Sequence, residues 1–285
     1  MFKIGEYSNL KVCRESSVGL YLTDGTEDPE TGKPLEILLP ENQCPDDALV
    51  GHSLKVFVYT DSEDRPIATR MKPTVVVGEF AYLQVVGISG AGAFFDWGLT
   101  KDLFCPFREQ VGEIQEGRFY VVRAYRDELT GRVACSMRLS RYLESDAIDL
   151  EVGQKVRVMI IEKTPEIVIA IVNQRFRGAF FPDEWVADFQ VGARGTAFVK
   201  RIRPGDGRLA LSVRPQGYEA VLSEGERVLR AIEAAGGRLE VSDRSHPEEI
   251  QRMFGLSKGA FKKLIGSLYR QGKIVIRHDS IELPK

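Results

Sequence analysis

One motif occurs three times in this chain, and it constrains the fold more than any other feature of the sequence. Each copy has a glycine, a strand of alternating apolar residues, a polar turn, and a closing strand that starts with arginine. The closing strands are Arg65–Lys72, Arg132–Arg138 and Arg208–Arg214. The glycines that lie 14, 15 and 16 residues before the arginine are Gly51, Gly117 and Gly192. A repeat of about 70 residues can close its own core, so we predict an array of small domains.

Each copy is expected to contain five strands. The first strand follows a glycine and alternates apolar with polar residues, which is typical of a strand with one buried face. These glycines are Gly5, Gly78 and Gly153. A proline should end the short third strand or lie on a sheet edge, because proline cannot donate a hydrogen bond to a sheet. These prolines are Pro40, Pro106 and Pro182. Five strands in about 65 residues predict a small closed barrel of the oligonucleotide-binding (OB) type.

The fourth and fifth strands of each copy are predicted to form a hairpin. In copy one, alternation places Val56 and Val58 inside the barrel and Phe57 and Tyr59 on its outer surface. The closing strands are aligned on three alanines, Ala68, Ala134 and Ala210. This alignment leaves Thr69–Arg70 of copy one where copy three has a Leu-Ser pair.

The periodicity changes after Pro215. Apolar residues then recur at helical spacing until Gly236, where the first helix should stop. Ser245–Glu248 predicts a capping box that opens a short helix through Phe254. A turn, a third helix over Lys258–Gln271 and a C-terminal hairpin follow. This order of elements predicts a winged helix-turn-helix.

The predicted fold is therefore mainly β with a C-terminal α/β module. It has three tandem five-stranded OB barrels followed by a winged helix domain. The expected ranges are 1–73 for a divergent first barrel, 74–141 for the second, 142–149 for a linker, 150–215 for the third barrel and 216–285 for the winged helix.

Parts of copies two and three resemble a known RNA-binding domain. Gly92–Phe95, Asp102–Phe104 and Gly131–Ser136 in copy two, and Gly207–Ser212 in copy three, resemble the S1 motif. Copy one departs from that motif at Thr69–Arg70, so the resemblance assigns RNA binding to copies two and three. Three such barrels followed by a winged helix are similar to the conserved virulence factor B family of bacterial RNA-binding proteins. This resemblance implies single-stranded RNA as the partner.

Charge is distributed unevenly along the chain. Residues 1–73 carry a net charge of −5, residues 74–141 carry 0, and residues 142–149 carry −3, whereas residues 150–215 carry +4 and residues 216–285 carry +2. Because lysine and arginine contacts to phosphate dominate nucleic-acid affinity, a polyanion should be drawn to the C-terminal half. The alternative is an ordinary solvated surface.

Other classes of function find little support in the sequence. The four cysteines are 31, 61 and 30 residues apart and form no zinc-type pair, so we expect reduced thiols, no metal and no cofactor. No apolar run approaches the ~20 residues of a membrane span, and no signal peptide is evident, which favours a cytoplasmic protein without a membrane partner. A nuclease or processing enzyme is a third class, but the acidic residues of the barrels are scattered through turns such as Asp61–Asp64 and suggest no metal-holding carboxylate pair. We therefore expect no catalytic residues, no enzyme activity and no small-molecule substrate.

Single-stranded RNA requires cations along a track and flat side chains on which bases stack. The S1 pattern implies that Phe94 is exposed with Phe95 inward, and that Tyr21 takes the same place in copy one. The alternative is that Phe94 and Phe104 belong to the core. In copy three, Arg175–Arg177 places an aromatic residue between two cations. The candidate nucleic-acid-binding residues are Phe94, Phe104, Arg123, Arg132, Arg175, Phe176, Arg177, Lys200, Arg201, Arg203, Arg208, Lys258, Lys262 and Lys263.

The leading hypothesis is a non-catalytic protein that binds single-stranded RNA through barrels two and three, with help from the winged helix, in post-transcriptional regulation of gene expression. An alternative is a transcription regulator whose winged helix binds DNA, with the barrels as accessories. The third helix has lysines but no cluster of Arg, Asn or Gln at its start to bind base edges, which disfavours that alternative. A winged helix can also serve as a protein-docking or structural module.

Overall fold

A computed structural model of the 285-residue chain describes residues 2–29, 31–144, 149–184, 189–203, 207–215 and 217–284. The middle of the predicted linker, 145–148, and the turn residues 204–206 lie outside the described residues. Mainly β structure is observed, with three closed five-stranded barrels followed by a domain containing three helices. The predicted fold class is confirmed.

The three barrels share one topology. Barrel one contains β1 (Tyr7–Ser16), β2 (Gly19–Thr23), β3 (Ile37–Pro40), β4 (Ser53–Thr60) and β5 (Pro66–Thr69). Barrel two contains β6 (Phe80–Ser89), β7 (Gly92–Phe95), β8 (Leu103–Pro106), β9 (Phe119–Arg126) and β10 (Val133–Ser136). Barrel three contains β11 (Lys155–Lys163), β12 (Val168–Val172), β13 (Phe176–Phe180), β14 (Arg194–Ile202) and β15 (Leu209–Ser212). In each barrel the first strand pairs with the second and fourth, and the third pairs in parallel with the fifth.

The repeated glycines fix the start of the fourth strand. Gly51, Gly117 and Gly192 have φ of +97°, +81° and +87°, a region that side chains other than glycine rarely adopt. Their N–H groups donate to the carbonyls of the first strand at Val12, Val85 and Ile160, at 2.8 Å in every copy. The first strand has a register shift immediately after each of these three carbonyls. The sequence repeat is therefore a repeat of backbone geometry.

The closing strand shows a register that differs from the predicted one. Thr69, Ser136 and Ser212 are buried, and each hydroxyl donates to a side chain of the short 3-10 turn after the third strand. The acceptors are Gln43, Glu109 and Glu184, at 2.5, 2.6 and 2.7 Å. Thr69 is thus the equivalent of the serines, and the alignment of Ala68 with Ala134 and Ala210 is wrong by one residue. The predicted ends of the third strands are confirmed at Pro40 and Pro106, and β13 ends two residues before Pro182.

Barrels one and two share a hydrophobic core. Val56 and Val58 lie inside barrel one, as predicted, and Phe57 and Tyr59 point out of it. The two aromatic side chains are nevertheless buried, because both rings make edge contacts with Trp97 of barrel two, at 5.7 and 6.3 Å between centroids. Such pairs contribute about 0.5–1.5 kcal/mol each beyond the burial of their area.

Barrels two and three are also packed together. Phe80 of barrel two is buried with Met159 and Ile171 of barrel three. The side chain of Gln174 accepts from the Phe80 N–H at 2.7 Å and donates to its carbonyl at 3.2 Å. Barrels two and three therefore pack against each other in the described residues on both sides of the linker.

The C-terminal domain is a winged helix. It contains α1 (Gly217–Ala234), β16 (Arg238–Leu239), α2 (Pro247–Phe254), α3 (Lys258–Arg270), β17 (Val275–Ile276) and β18 (Ile281–Glu282). The strands form one sheet in the order β16-β18-β17, so the predicted hairpin has a third strand that the sequence analysis missed. Among the described helices, none is both long and apolar enough to cross a membrane.

The N-terminus of α3 is capped by a side chain, whereas the capping box predicted for α2 is not formed. Ser257 caps α3 by accepting from the Ala260 N–H at 3.3 Å. At α2 the N-cap is His246, whose side chain makes no cap hydrogen bond, and the Ser245 hydroxyl accepts from the Ser242 N–H instead. The predicted capping box at Ser245–Glu248 is therefore wrong, because Ser245 belongs to the preceding turn.

Candidate nucleic-acid interface

Strand pairing identifies equivalent residues on the outer surface of the barrels. In each barrel we take one residue from each strand, in the order first, second, third, fifth and fourth, so that neighbours in this order are Cα partners. We call these five residues the outer row of the barrel. In barrel one this row is Arg14, Tyr21, Leu38, Ile67 and Tyr59. In barrel two it is Gly87, Phe94, Phe104, Ala134 and Tyr125. In barrel three it is Glu162, Ile169, Ala179, Ala210 and Arg201.

Barrel two carries two neighbouring aromatic rings in its outer row. Phe94 and Phe104 pair across β7 and β8, and their ring centroids are 5.2 Å apart with the planes tilted by 44°. Both rings are partly exposed, whereas Phe95 is fully buried in the core. The alternative that Phe94 and Phe104 are core residues is therefore excluded. Partly exposed rings of this kind can stack on nucleic-acid bases.

The residue beside Phe94 differs from the residue at the same place in barrel one. There, the Arg14 guanidinium lies over the ring of Tyr21, 3.4 Å from its centroid, and is held by Glu36 at 2.8 Å. In barrel two that place is taken by Gly87, whose Cα faces Phe94 with no side chain between them. The arginine that covers Tyr21 in barrel one is a glycine in barrel two, so no side chain at this position covers Phe94. Sequence reasoning missed this role of Gly87.

Barrel three has no aromatic pair in its outer row. Ile169 and Ala179 take the places of Phe94 and Phe104. Phe176, which was predicted to stack on bases, is only 2% exposed and belongs to the core of barrel three, so this prediction is wrong. The alternation of β13 explains the result, because Phe176, Gly178 and Phe180 share the inward face.

A cleft of about 1030 Å³ lies between barrels one and two. Phe94, Phe104 and Trp97 line it from barrel two, and Tyr59 and Ile67 line it from barrel one. A volume of this size and an apolar, aromatic wall are typical of ligand sites. The predicted residues Phe94, Phe104 and Arg132 all meet here, and so do Lys101 and Arg108, which the sequence analysis did not select.

Arg123, a predicted nucleic-acid-binding cation of barrel two, lies in a contact between barrels. Arg123 is wedged between Phe80 and Tyr142, with its guanidinium carbon 5.2 and 4.5 Å from their ring centroids, and burial lowers its pKa. Its Nε is buried and has no hydrogen-bond partner among the described residues. Arg123 therefore belongs to the contact between barrels two and three, and the prediction that it binds nucleic acid is corrected.

In barrel three, Arg175 forms ion pairs with Glu144 and Asp149, both at 2.7 Å, and Lys200 pairs with Glu184 at 2.7 Å. Arg203 and Arg208 are exposed at the two ends of the β14–β15 turn. Arg177 and Arg201 are also exposed, and neither has an ion-pair partner among the described residues.

Arg177 and Arg201 give barrel three a more basic outer face than barrel two. Arg177 lies two residues before Ala179, where barrel two has Asp102 before Phe104, and Arg201 replaces Tyr125 in the outer row. Barrel three thus has one cation where barrel two has the acid Asp102 and another where barrel two has the aromatic Tyr125.

The lysines of α3 are only partly available. Lys258 donates to the Arg244 carbonyl at 3.3 Å, and Lys262 forms an ion pair with Asp243 at 3.5 Å. Lys263 is exposed without an ion-pair partner among the described residues.

In the part of the chain that the structure describes, no group of three or more His, Cys, Asp or Glu side chains could hold a metal ion.

Two known domain families match parts of the chain. Residues 4–70 match the S1 domain, and residues 226–283 match the CvfB-like winged helix domain. Both are nucleic-acid-binding domain types. The S1 match covers the first barrel, which the sequence analysis had considered the most divergent copy.

Several known proteins are similar over most of their length. An uncharacterized protein, YitL, of Bacillus subtilis is 26% identical over 278 residues, which cover 95% of this chain and 90% of the relative. Conserved virulence factor B of Staphylococcus aureus (strain USA300) is 25% identical over 267 residues, covering 89% and 87%. Among solved structures, a multidomain protein with nucleic acid binding domains from Streptococcus pneumoniae is 21% identical and covers 99% of this chain and 98% of that one, with a TM-score of 0.41.

Proposed function

We propose that the chain is a member of the conserved virulence factor B family and that it binds single-stranded RNA without catalysing a reaction on it. Barrel two supplies the stacking surface, and barrel three and the winged helix supply cations. In a cell the protein acts in the cytoplasm, in post-transcriptional regulation of gene expression.

The observation that carries this proposal is the partly exposed pair of Phe94 and Phe104 in the cleft. Unpaired bases offer flat faces to such rings, and each stacked base contributes about 1–3 kcal/mol. Bases in a double helix are already stacked on one another, so a ring platform favours single strands. The exposed Arg177 and Arg201 of barrel three supply charge for the phosphates.

Binding of a fluorescently labelled single-stranded RNA, measured by anisotropy at several salt concentrations, tests the proposal. Phe94→Ala and Phe104→Ala should each weaken binding by about 5- to 150-fold, the equivalent of about 1–3 kcal/mol. Phe107→Ala is the matched control, because Phe107 is 57% exposed on the turn after β8 but does not line the cleft. Equal affinities for the wild type and both cleft variants would refute the proposal.

The second candidate function is the binding of duplex DNA by the winged helix. It is favoured by the exposed Lys262 and Lys263 on α3, the helix that follows the turn at Gly255. Helix-turn-helix proteins place the corresponding helix in the major groove. A preference for duplex DNA over single-stranded RNA that is lost in Lys263→Gln but kept in Phe94→Ala would establish this alternative.

A further inference from the structure

The three cations that line the cleft all carry a carboxylate partner. Arg108 pairs with Asp127 at 3.1 Å, and both residues belong to barrel two. Lys101 and Arg132 also belong to barrel two, but both pair with Asp64 of barrel one; the Lys101–Asp64 distance is 3.1 Å. One side chain of the neighbouring barrel thus neutralises two of the three cations beside the aromatic pair.

Asp64 is held in this position by the turn between β4 and β5. Its φ of +66° is a conformation that Asp and Asn adopt more readily than most residues. Among the described residues its carboxylate has no hydrogen-bond partner besides Lys101 and Arg132. Asp127 differs, because its carboxylate also accepts from the N–H groups of Leu129 and Thr130 and so shapes its own hairpin. Asp64 can therefore be changed without dismantling a turn.

The ion pairs of Asp64 with Lys101 and Arg132 affect double-stranded and single-stranded nucleic acids differently. A double helix presents phosphates to a protein surface, while its bases stay stacked inside, so it can bind in the cleft only through free cations. A single strand also offers bases to Phe94 and Phe104. We propose that Asp64 is a specificity-determining residue that excludes double helices from the cleft by occupying Lys101 and Arg132. The proposal rests on the proposed function, since it takes the cleft to be a nucleic-acid site.

The test measures the affinity of the full chain for a short labelled DNA duplex over a range of salt concentrations. Asp64→Asn should tighten duplex binding about threefold or more and steepen the salt dependence by about 0.9 in logarithmic slope for each cation released. Asp64→Gly suits the positive φ as well and should behave alike, which guards against a folding defect in one variant. Arg132→Gln in the Asp64→Asn background should reverse most of the gain.

Glu63→Gln is the matched control. Glu63 is the neighbouring residue of the same turn and carries the same charge, but it pairs at 2.9 Å with Arg65 of its own barrel. If Glu63→Gln tightens duplex binding as much as Asp64→Asn, the effect is one of net charge and the inference is wrong. It is also wrong if neither Asp64 variant tightens binding. Failure of the proposed function has another signature, namely single-stranded RNA binding that does not respond to Phe94→Ala.

Discussion

Gly87→Arg reverses the difference that separates barrel two from barrel one. Gly87 has an ordinary negative φ, and a Cβ built on it would lie 3.8 Å from the Phe94 ring, which is a normal contact. The new guanidinium can therefore cover Phe94 as Arg14 covers Tyr21. A base must then displace a cation–π contact of about 0.5–1 kcal/mol, so we expect RNA binding to weaken about two- to fivefold.

Stacking and charge predict opposite changes in the RNA affinity of Gly87→Arg, so the direction of the change distinguishes them. An added cation alone strengthens binding to a polyanion, so an interaction governed by charge predicts tighter binding by Gly87→Arg. Gly90→Arg is the control, because Gly90 lies in the same hairpin, also has a negative φ, and has no atom within 4 Å of a built Cβ. Anisotropy titrations of both variants with the same RNA give the comparison. Gly87→Arg binding as tightly as Gly90→Arg would refute the role of the open Phe94 ring.

Two further predictions concern stability and charge. In urea unfolding, Gly192→Ala should lower the free energy of unfolding by about 1–3 kcal/mol more than Gly117→Ala. A methyl group at Gly192 overlaps the Tyr82 ring, whereas the equivalent Gly117 has open space. Equal losses would show that the Tyr82 ring can move aside at little cost. Arg201→Gln should make the salt dependence of RNA binding shallower by about 0.7 in logarithmic slope, while Phe94→Ala leaves that slope unchanged. If the slope changes in both variants, phosphate binding by Arg201 and base stacking by Phe94 are not separate roles.

The fold was largely predictable because its signals are local. Strand alternation, the prolines that limit the third strands and the glycines with positive φ each act within a few residues. The alignment of Ala68 failed for a reason that is not local. The equivalence of Thr69 and Ser136 depends on a hydroxyl that reaches a side chain 26 or 27 residues away, and threonine supplies that hydroxyl as well as serine does.

The candidate site was harder to predict because it depends on the neighbouring barrel. Alternation correctly turned Phe57 and Tyr59 outward, but outward residues are buried or exposed according to where the next domain lies. Arg123 shows the same limit, since an outward arginine lies between two aromatic rings of the contact with barrel three. The error at Phe176 was avoidable, because the alternation of β13 already turns this residue inward.

Differences among equivalent residues divide the proposed function among the barrels. The outer row begins with a covering arginine in barrel one, an open glycine in barrel two and an acid in barrel three: Arg14, Gly87 and Glu162. The second and third places of the row are both aromatic only in barrel two, because barrel one has Tyr21 and Leu38 there and barrel three has Ile169 and Ala179. Because stacking requires neighbouring rings with a free face, it is confined to barrel two, and charge has to come from elsewhere. Barrel one then acts as a wall of the cleft, where its Asp64 limits the charge that barrel two can offer.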